Sequence, residues 1–177
     1  MSTSTILKVL HVFAWIVFIA LLVESGALLV SFAISVVVTP DAAHRFYQTL
    51  NLSGVLAYDP GAFAFLAGGL AFVSVLKAYL FYLLVELFTS LNVDAPFNPK
   101  MARLISTMGY TSLAIGALII VLNKFVLRLQ AHAVEIPSLR DLLNGEGAYL
   151  MLGSIIFVIS VMFKRGIELQ TENDLTI

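Results

Sequence analysis

VLHVFAWIVFIALLVESGALLVSFAISVVV, residues 9–38, carries a single acidic interruption, Glu24. As an α-helix this stretch would be ~45 Å long, against a hydrocarbon core of ~30 Å. It is long enough to cross a bilayer, and it must tilt or project beyond it. A secretory signal is the rival reading, because Lys8 precedes the apolar run; the run is too long for one.

Three further apolar segments follow. The second runs over residues 61–91 and contains Lys77 and Glu86. Asn92 to Pro99 is a short loop whose two prolines break the helix. Asn98 then reads as the cap of the third segment, with Pro99 at its first position. That segment, residues 101–127, is uncharged from Leu104 to Leu122 and leaves through Lys124 and Arg128. The fourth, residues 147–163, ends at Lys164-Arg165, which can snorkel to headgroups. Between the first two segments, Thr39–Pro60 is polar, with a helix start at Pro40-Asp41 and an interfacial character. Between the last two, Ser138–Leu143 reads as one short helical turn.

Composition agrees. The chain is 60% hydrophobic and 12% charged, with a mean hydropathy of +0.98, whereas soluble domains run roughly 45–50% apolar and about 25% charged. The expected fold class is all-α, an integral membrane antiparallel four-helix bundle. It forms a single domain over residues 1–177, with a polar C-terminal tail at 164–177. Four spans place both termini on one side. Basic residues near that side are Lys8, Lys100, Arg103, Lys164 and Arg165; near the other they are Arg45, Lys124, Arg128 and Arg140. This small excess favours cytoplasmic termini in a bacterial inner membrane.

Ionisable groups inside hydrocarbon cost ~2.5–3.5 kcal/mol at the span centre, so they normally face protein or water. Glu24 and Lys77 lie near the middles of adjacent antiparallel spans and are expected to meet. Ala20, Ala27, Ser31 and Ser35 share the Glu24 face, a small stripe that would let a partner helix approach closely. Two readings stand: an ion pair fixing register, or a titrating, ion-coupling site. Glu86 is nine residues from Lys77 and points the opposite way. Tyr79 and Tyr82 accompany it, either to hydrogen-bond a ligand headgroup or to pack against another span. Lys8 and His11 are its candidate partners by depth. Gly109, Ser112 and Gly116 read as helix-packing positions.

Several chemistries lack their residues. There is no cysteine, hence no disulfide or iron–sulfur centre. His11, His44 and His132 form no pair on one span face for haem, and no His/Glu cluster has zinc spacing. No phosphate loop, nucleophile elbow or protease-type arrangement is present. Neither catalysis nor a cofactor is expected. The net charge of −1 gives no basic surface for direct nucleic-acid contact. Membrane lipid is the expected surrounding, and a homo-oligomer is compatible with the small-residue stripes.

The tail has another character. In Glu172-Asn173-Asp174-Leu175-Thr176-Ile177, Leu175 and Ile177 alternate with Thr176, a pattern suited to an extended strand, and a free carboxylate after a hydrophobic residue is a recognition handle. The segment Gly166–Ile177 resembles the C-terminal signature of the YoaS-like family of small bacterial four-span membrane proteins, a domain-of-unknown-function family. Its members close with an aliphatic-acidic stretch and then Glu-Asn-Asp-Leu-Thr followed by Val or Ile. Pro96-Phe97-Asn98-Pro99-Lys100-Met101-Ala102-Arg103, continuing to Tyr110, resembles the family's Phe-led helix start. The resemblance implies no established activity. It does imply a small Cro-type helix-turn-helix regulator encoded nearby, hence a protein partner on the cytoplasmic side. Phe97, Lys100 and Arg103 would then join Glu172–Ile177 in one docking surface. The alternative is a small oligomeric carrier or channel using Glu24, Lys77 and Glu86.

Overall fold

The computed structural model describes residues 3–37, 43, 46, 47, 50–91 and 98–174. Five helices follow in order: α1 (Thr3–Val37), α2 (Ser53–Tyr58), α3 (Pro60–Ser90), α4 (Pro99–Ala131) and α5 (Glu146–Asp174). All but α2 are long and apolar enough to cross a membrane. The protein is an integral, multi-pass membrane protein built as a helical bundle. α1, α4 and α5 are longer than the apolar segments that seed them, and α3 matches its own. Most notably, α5 continues through Lys164-Arg165 to Asp174, because no proline or glycine pair interrupts it after Phe163.

Packing runs in the order α1–α3–α4–α5, so α3 and α4 form the centre and α1 and α5 the flanks. Phe32 of α1 reaches Gly68, Phe18 meets Tyr82 and His11 meets Phe88. Gly69 of α3 accepts Leu122, Phe65 meets Phe125 and Glu86 meets Lys100. Numbers rise along one helix as they fall along its neighbour, so each adjacent pair is antiparallel. The start of α1 and the end of α5 lie at the end where α3 finishes and α4 begins, here the terminal end.

The covered face of α1 is a seam of alternating four- and three-residue steps: Leu7, His11, Ala14, Phe18, Leu21, Ser25, Leu28, Phe32 and Ser35. That 3.5-residue spacing keeps one stripe against α3 along the whole helix. Ala20 and Ala27, expected in the packed face, are exposed. They fall beside the seam, where a small side chain next to lipid has no packing partner to favour. Glu24 and Ser31 are half-buried at the seam's edge.

The Gly109/Ser112/Gly116 face is buried against α5. A Cβ on Gly116 would lie 2.8 Å from the Leu150 side chain and 3.0 Å from the Glu146 carbonyl oxygen. One on Gly153 would lie 2.9 Å from the Leu113 backbone nitrogen. Hydrogen bonds stitch the same seam. Ser112 donates to the Tyr149 carbonyl at 2.8 Å, and the Ser106 and Ser160 hydroxyls bond one another. Small residues let the backbones approach, and hydroxyls use the closeness.

Helix ends are fixed by local chemistry. The Asp59 carboxylate accepts from Gly61 and Ala62 N–H groups ahead of α3, and the Asn98 side chain accepts from Met101 N–H at 2.9 Å ahead of α4. Both caps precede a proline at the first helical position, where its missing N–H costs nothing. α4 closes with Val134 N–H on Leu129 O and Ala133 N–H on Gln130 O. This closure requires a left-handed residue, and Ala133 takes it at φ 58°.

At the opposite end, described residues of the connecting segments join the core of the bundle. Ala43, Phe46, Leu52, Val55, Leu139 and Leu143 are buried with Phe63 and Leu66 of α3. The Leu52 N–H donates to Ala43 O at 2.8 Å, and Phe46 meets Phe63 edge-on. This stretch, expected to be a polar interfacial segment, instead supplies apolar anchors that cover the bundle's end. The expected helix start at Pro40-Asp41 lies outside the described residues.

Candidate functional site

Polar side chains gather at two levels of the bundle. The first is mid-span, around Lys77. Nine residues separate Lys77 from Glu86 on α3, or ~13 Å of helix rise, so the two belong to different levels. Lys77 donates from Nζ to the Leu142 carbonyl at 2.9 Å and lies 5.9 Å from the Tyr149 ring centroid. Leu142 is in the α4–α5 connection, which returns toward the bundle centre and starts α5 after Gly145, whose φ of +89° suits glycine. Asn123 holds the same connection by donating to Leu143 O at 3.2 Å.

Glu24 acts electrostatically on both Lys77 and Tyr149. Among the described residues no direct ion pair joins Glu24 and Lys77. A loop carbonyl takes one of the three Lys77 N–H donors and the Tyr149 ring lies over the ammonium. Tyr149 and the Leu142 carbonyl were invisible to sequence reading, because a loop that folds back leaves no spacing signal.

Tyr79 and Tyr82 are exposed on α3 and stack at 6.2 Å, and Tyr82 packs against Phe18 of α1. Glu86 turns instead toward α4. His11 takes the Trp15 indole N–H at 3.0 Å and lies 3.4 Å from the Thr89 hydroxyl, so it is engaged away from Glu86.

The second level is the terminal end. Here Glu86 and Lys100 approach to 3.3 Å, tying the end of α3 to the first turn of α4. Arg165 and Glu168 pair at 2.7 Å along α5. Between the first three turns of α4 and the part of α5 around Lys164–Glu168 lies a groove of about 570 Å³, lined by Arg103, Ser106, Thr107, Tyr110, Lys164 and Glu168 among others. Beyond it α5 continues as helix, with Leu169 exposed at 49% and Glu172 exposed. Phe97, Leu175, Thr176 and Ile177 lie outside the described residues, and of Asn173 and Asp174 the backbone alone is described. Among the described residues no group of His, Asp and Glu is arranged to hold a metal.

No curated protein and no solved structure matches the chain. A family profile does, over residues 38–177, a span that begins after α1 and takes in α2 to α5 and the segments that join them. The protein therefore belongs to the family described as protein of unknown function, DUF2975.

Proposed function

We propose that the protein is a regulatory or scaffold membrane protein that binds a cytoplasmic partner through its terminal end, in a bacterial inner membrane with both termini cytoplasmic. The observation that carries this reading is the continuation of α5. From Lys164 to Asp174 it extends as helix past the apolar span, ~16 Å at the usual rise, and carries Leu169 into the open. An exposed leucine on an acidic helix gains by burial against another protein. Lys100 and Arg103 at the start of α4 stand on the same end and would complement acidic residues of the tail or of the partner.

The finer resemblance to the YoaS-like family suggests a small helix-turn-helix regulator as that partner. In this reading DNA contact belongs to the regulator. The carrier alternative is less well supported, because Glu86 is engaged by Lys100 at the terminal end and does not join Glu24 and Lys77 in one path.

The test is a pull-down from native membranes with the full chain and with a chain lacking Glu172–Ile177. A soluble DNA-binding protein should accompany the full chain alone. Equal capture by both chains would remove the tail from the account.

A further inference from the structure

The groove between α4 and α5 has a charge pattern that selects an occupant. Arg103 and Lys164 both line it and both are exposed. Neither forms an ion pair among the described residues; Glu168 lines the groove as well, and its carboxylate pairs with Arg165 at 2.7 Å. The rim therefore offers two uncommitted cations and no free acid. Its depth is set by sequence. Lys164-Arg165 closes the apolar run of α5, and Arg103 stands immediately before the uncharged run of α4. Residues so placed sit where hydrocarbon gives way to headgroups. Two turns deeper along α4, ~10 Å at the usual rise, Tyr110 is exposed and meets Phe157 edge-on at 5.8 Å. Between rim and ring the lining is Ser106 and Thr107, whose hydroxyls are already engaged, Thr107 with the Arg103 carbonyl and Ser106 with Ser160, so they leave no free polar group toward an acyl chain.

We propose that this groove is a binding site for one anionic glycerophospholipid, its phosphate held by Arg103 and Lys164 and one acyl chain lying along Tyr110. The chemistry favours that class over its neighbours. A phosphodiester suits a guanidinium and an ammonium that line one groove from two helices. A zwitterionic headgroup brings an ammonium for which the groove has no uncommitted carboxylate. A soluble phosphate would satisfy the rim while leaving the exposed Tyr110 ring uncovered. The inference does not rest on the protein-partner reading, and it assigns Arg103 to the lipid, leaving Lys100 to the tail or the partner.

The test uses the full chain, purified in a neutral detergent and stripped of lipid. Thermal unfolding is followed against added phosphatidylglycerol, phosphatidylcholine or glycerol phosphate, and retained lipid is counted by native mass spectrometry. Phosphatidylglycerol should stabilise saturably with one molecule retained, at concentrations roughly tenfold or more below those needed for phosphatidylcholine. Arg103→Gln and Lys164→Gln should each weaken it roughly tenfold or more, as the loss of one charge-assisted hydrogen bond does. Lys164→Arg, which keeps the charge, and Arg128→Gln at the opposite end should bind as the parent chain does, so a variant that merely misfolds is recognised. Equal response to phosphatidylglycerol and phosphatidylcholine overturns the proposal. So does full retention by the Arg103→Gln/Lys164→Gln double variant, or glycerol phosphate acting at the same concentration as the lipid.

Discussion

Replacing Gly153 by alanine sets two effects against each other with opposite signs. In an exposed helix interior, Gly→Ala stabilises by about 0.8–1 kcal/mol through propensity. At Gly153 the added carbon would lie 2.7 Å from the Leu113 Cγ and 2.9 Å from the Leu113 backbone nitrogen. The side chain can rotate, but the backbone atom belongs to α4, so relief requires α5 to move outward. That movement would also loosen the Ser112–Tyr149 hydrogen bond and the Ser106–Ser160 contact on the same seam. Overpacking of this kind costs ~1–3 kcal/mol, so the net result should be destabilisation despite the better helix former. Gly147 on the same helix supplies the control, because a Cβ there meets nothing within 4 Å. Unfolding in mixed detergent micelles, titrated with a denaturing detergent, would place Gly153→Ala below the parent chain and Gly147→Ala at or slightly above it. If the Gly153 variant matches or exceeds the parent, the close α4–α5 seam is refuted.

Other expectations follow from single contacts. Asn98→Ala removes the side-chain cap of α4 and should cost about 1 kcal/mol in the same unfolding assay. Ala133→Gly should stabilise by up to about 1 kcal/mol, because glycine adopts the left-handed closure of α4 without a Cβ penalty. Lys77→Met should cost less than Lys77→Ala, since methionine retains the apolar stem while leaving the Leu142 carbonyl unpaired in both; equal losses would show that packing of the stem contributes nothing. Glu86→Gln should change stability by no more than about 1 kcal/mol, because the Lys100 side chain is largely exposed and such pairs are weak and salt-screened.

The four spans were legible because apolar length in a chain with few charges admits little else. The Gly109/Ser112/Gly116 seam was legible too, since three small residues at helical spacing suit close approach and little besides. The α1 seam was not. Ala20 and Ala27 share Glu24's face but cover nothing, while Phe18, Leu21 and Leu28 form the contact. Size alone does not tell which face of an apolar helix meets protein and which meets lipid. Lys77 shows the same limit in a polar group. Its depth could be counted from the sequence, but its acceptor is a carbonyl 65 residues away on a connection whose return path leaves no period. Phe46, Leu52, Val55, Leu139 and Leu143 were lost among polar neighbours, because scattered anchors in two separated segments carry meaning once those segments meet. The terminal-end groove likewise needed the crossing of α4 and α5 to bring Arg103 beside Lys164.

The most direct measurement of the proposed role is photo-crosslinking in living cells, with a photoreactive residue at Leu169 in the exposed part of α5 and, separately, at Met151, exposed within the span at 66%. The account predicts one soluble DNA-binding protein joined at Leu169, lost on deletion of Glu172–Ile177, and absent at Met151. A Leu169 position that joins no soluble protein, or that joins the same partner without the tail, would contradict it.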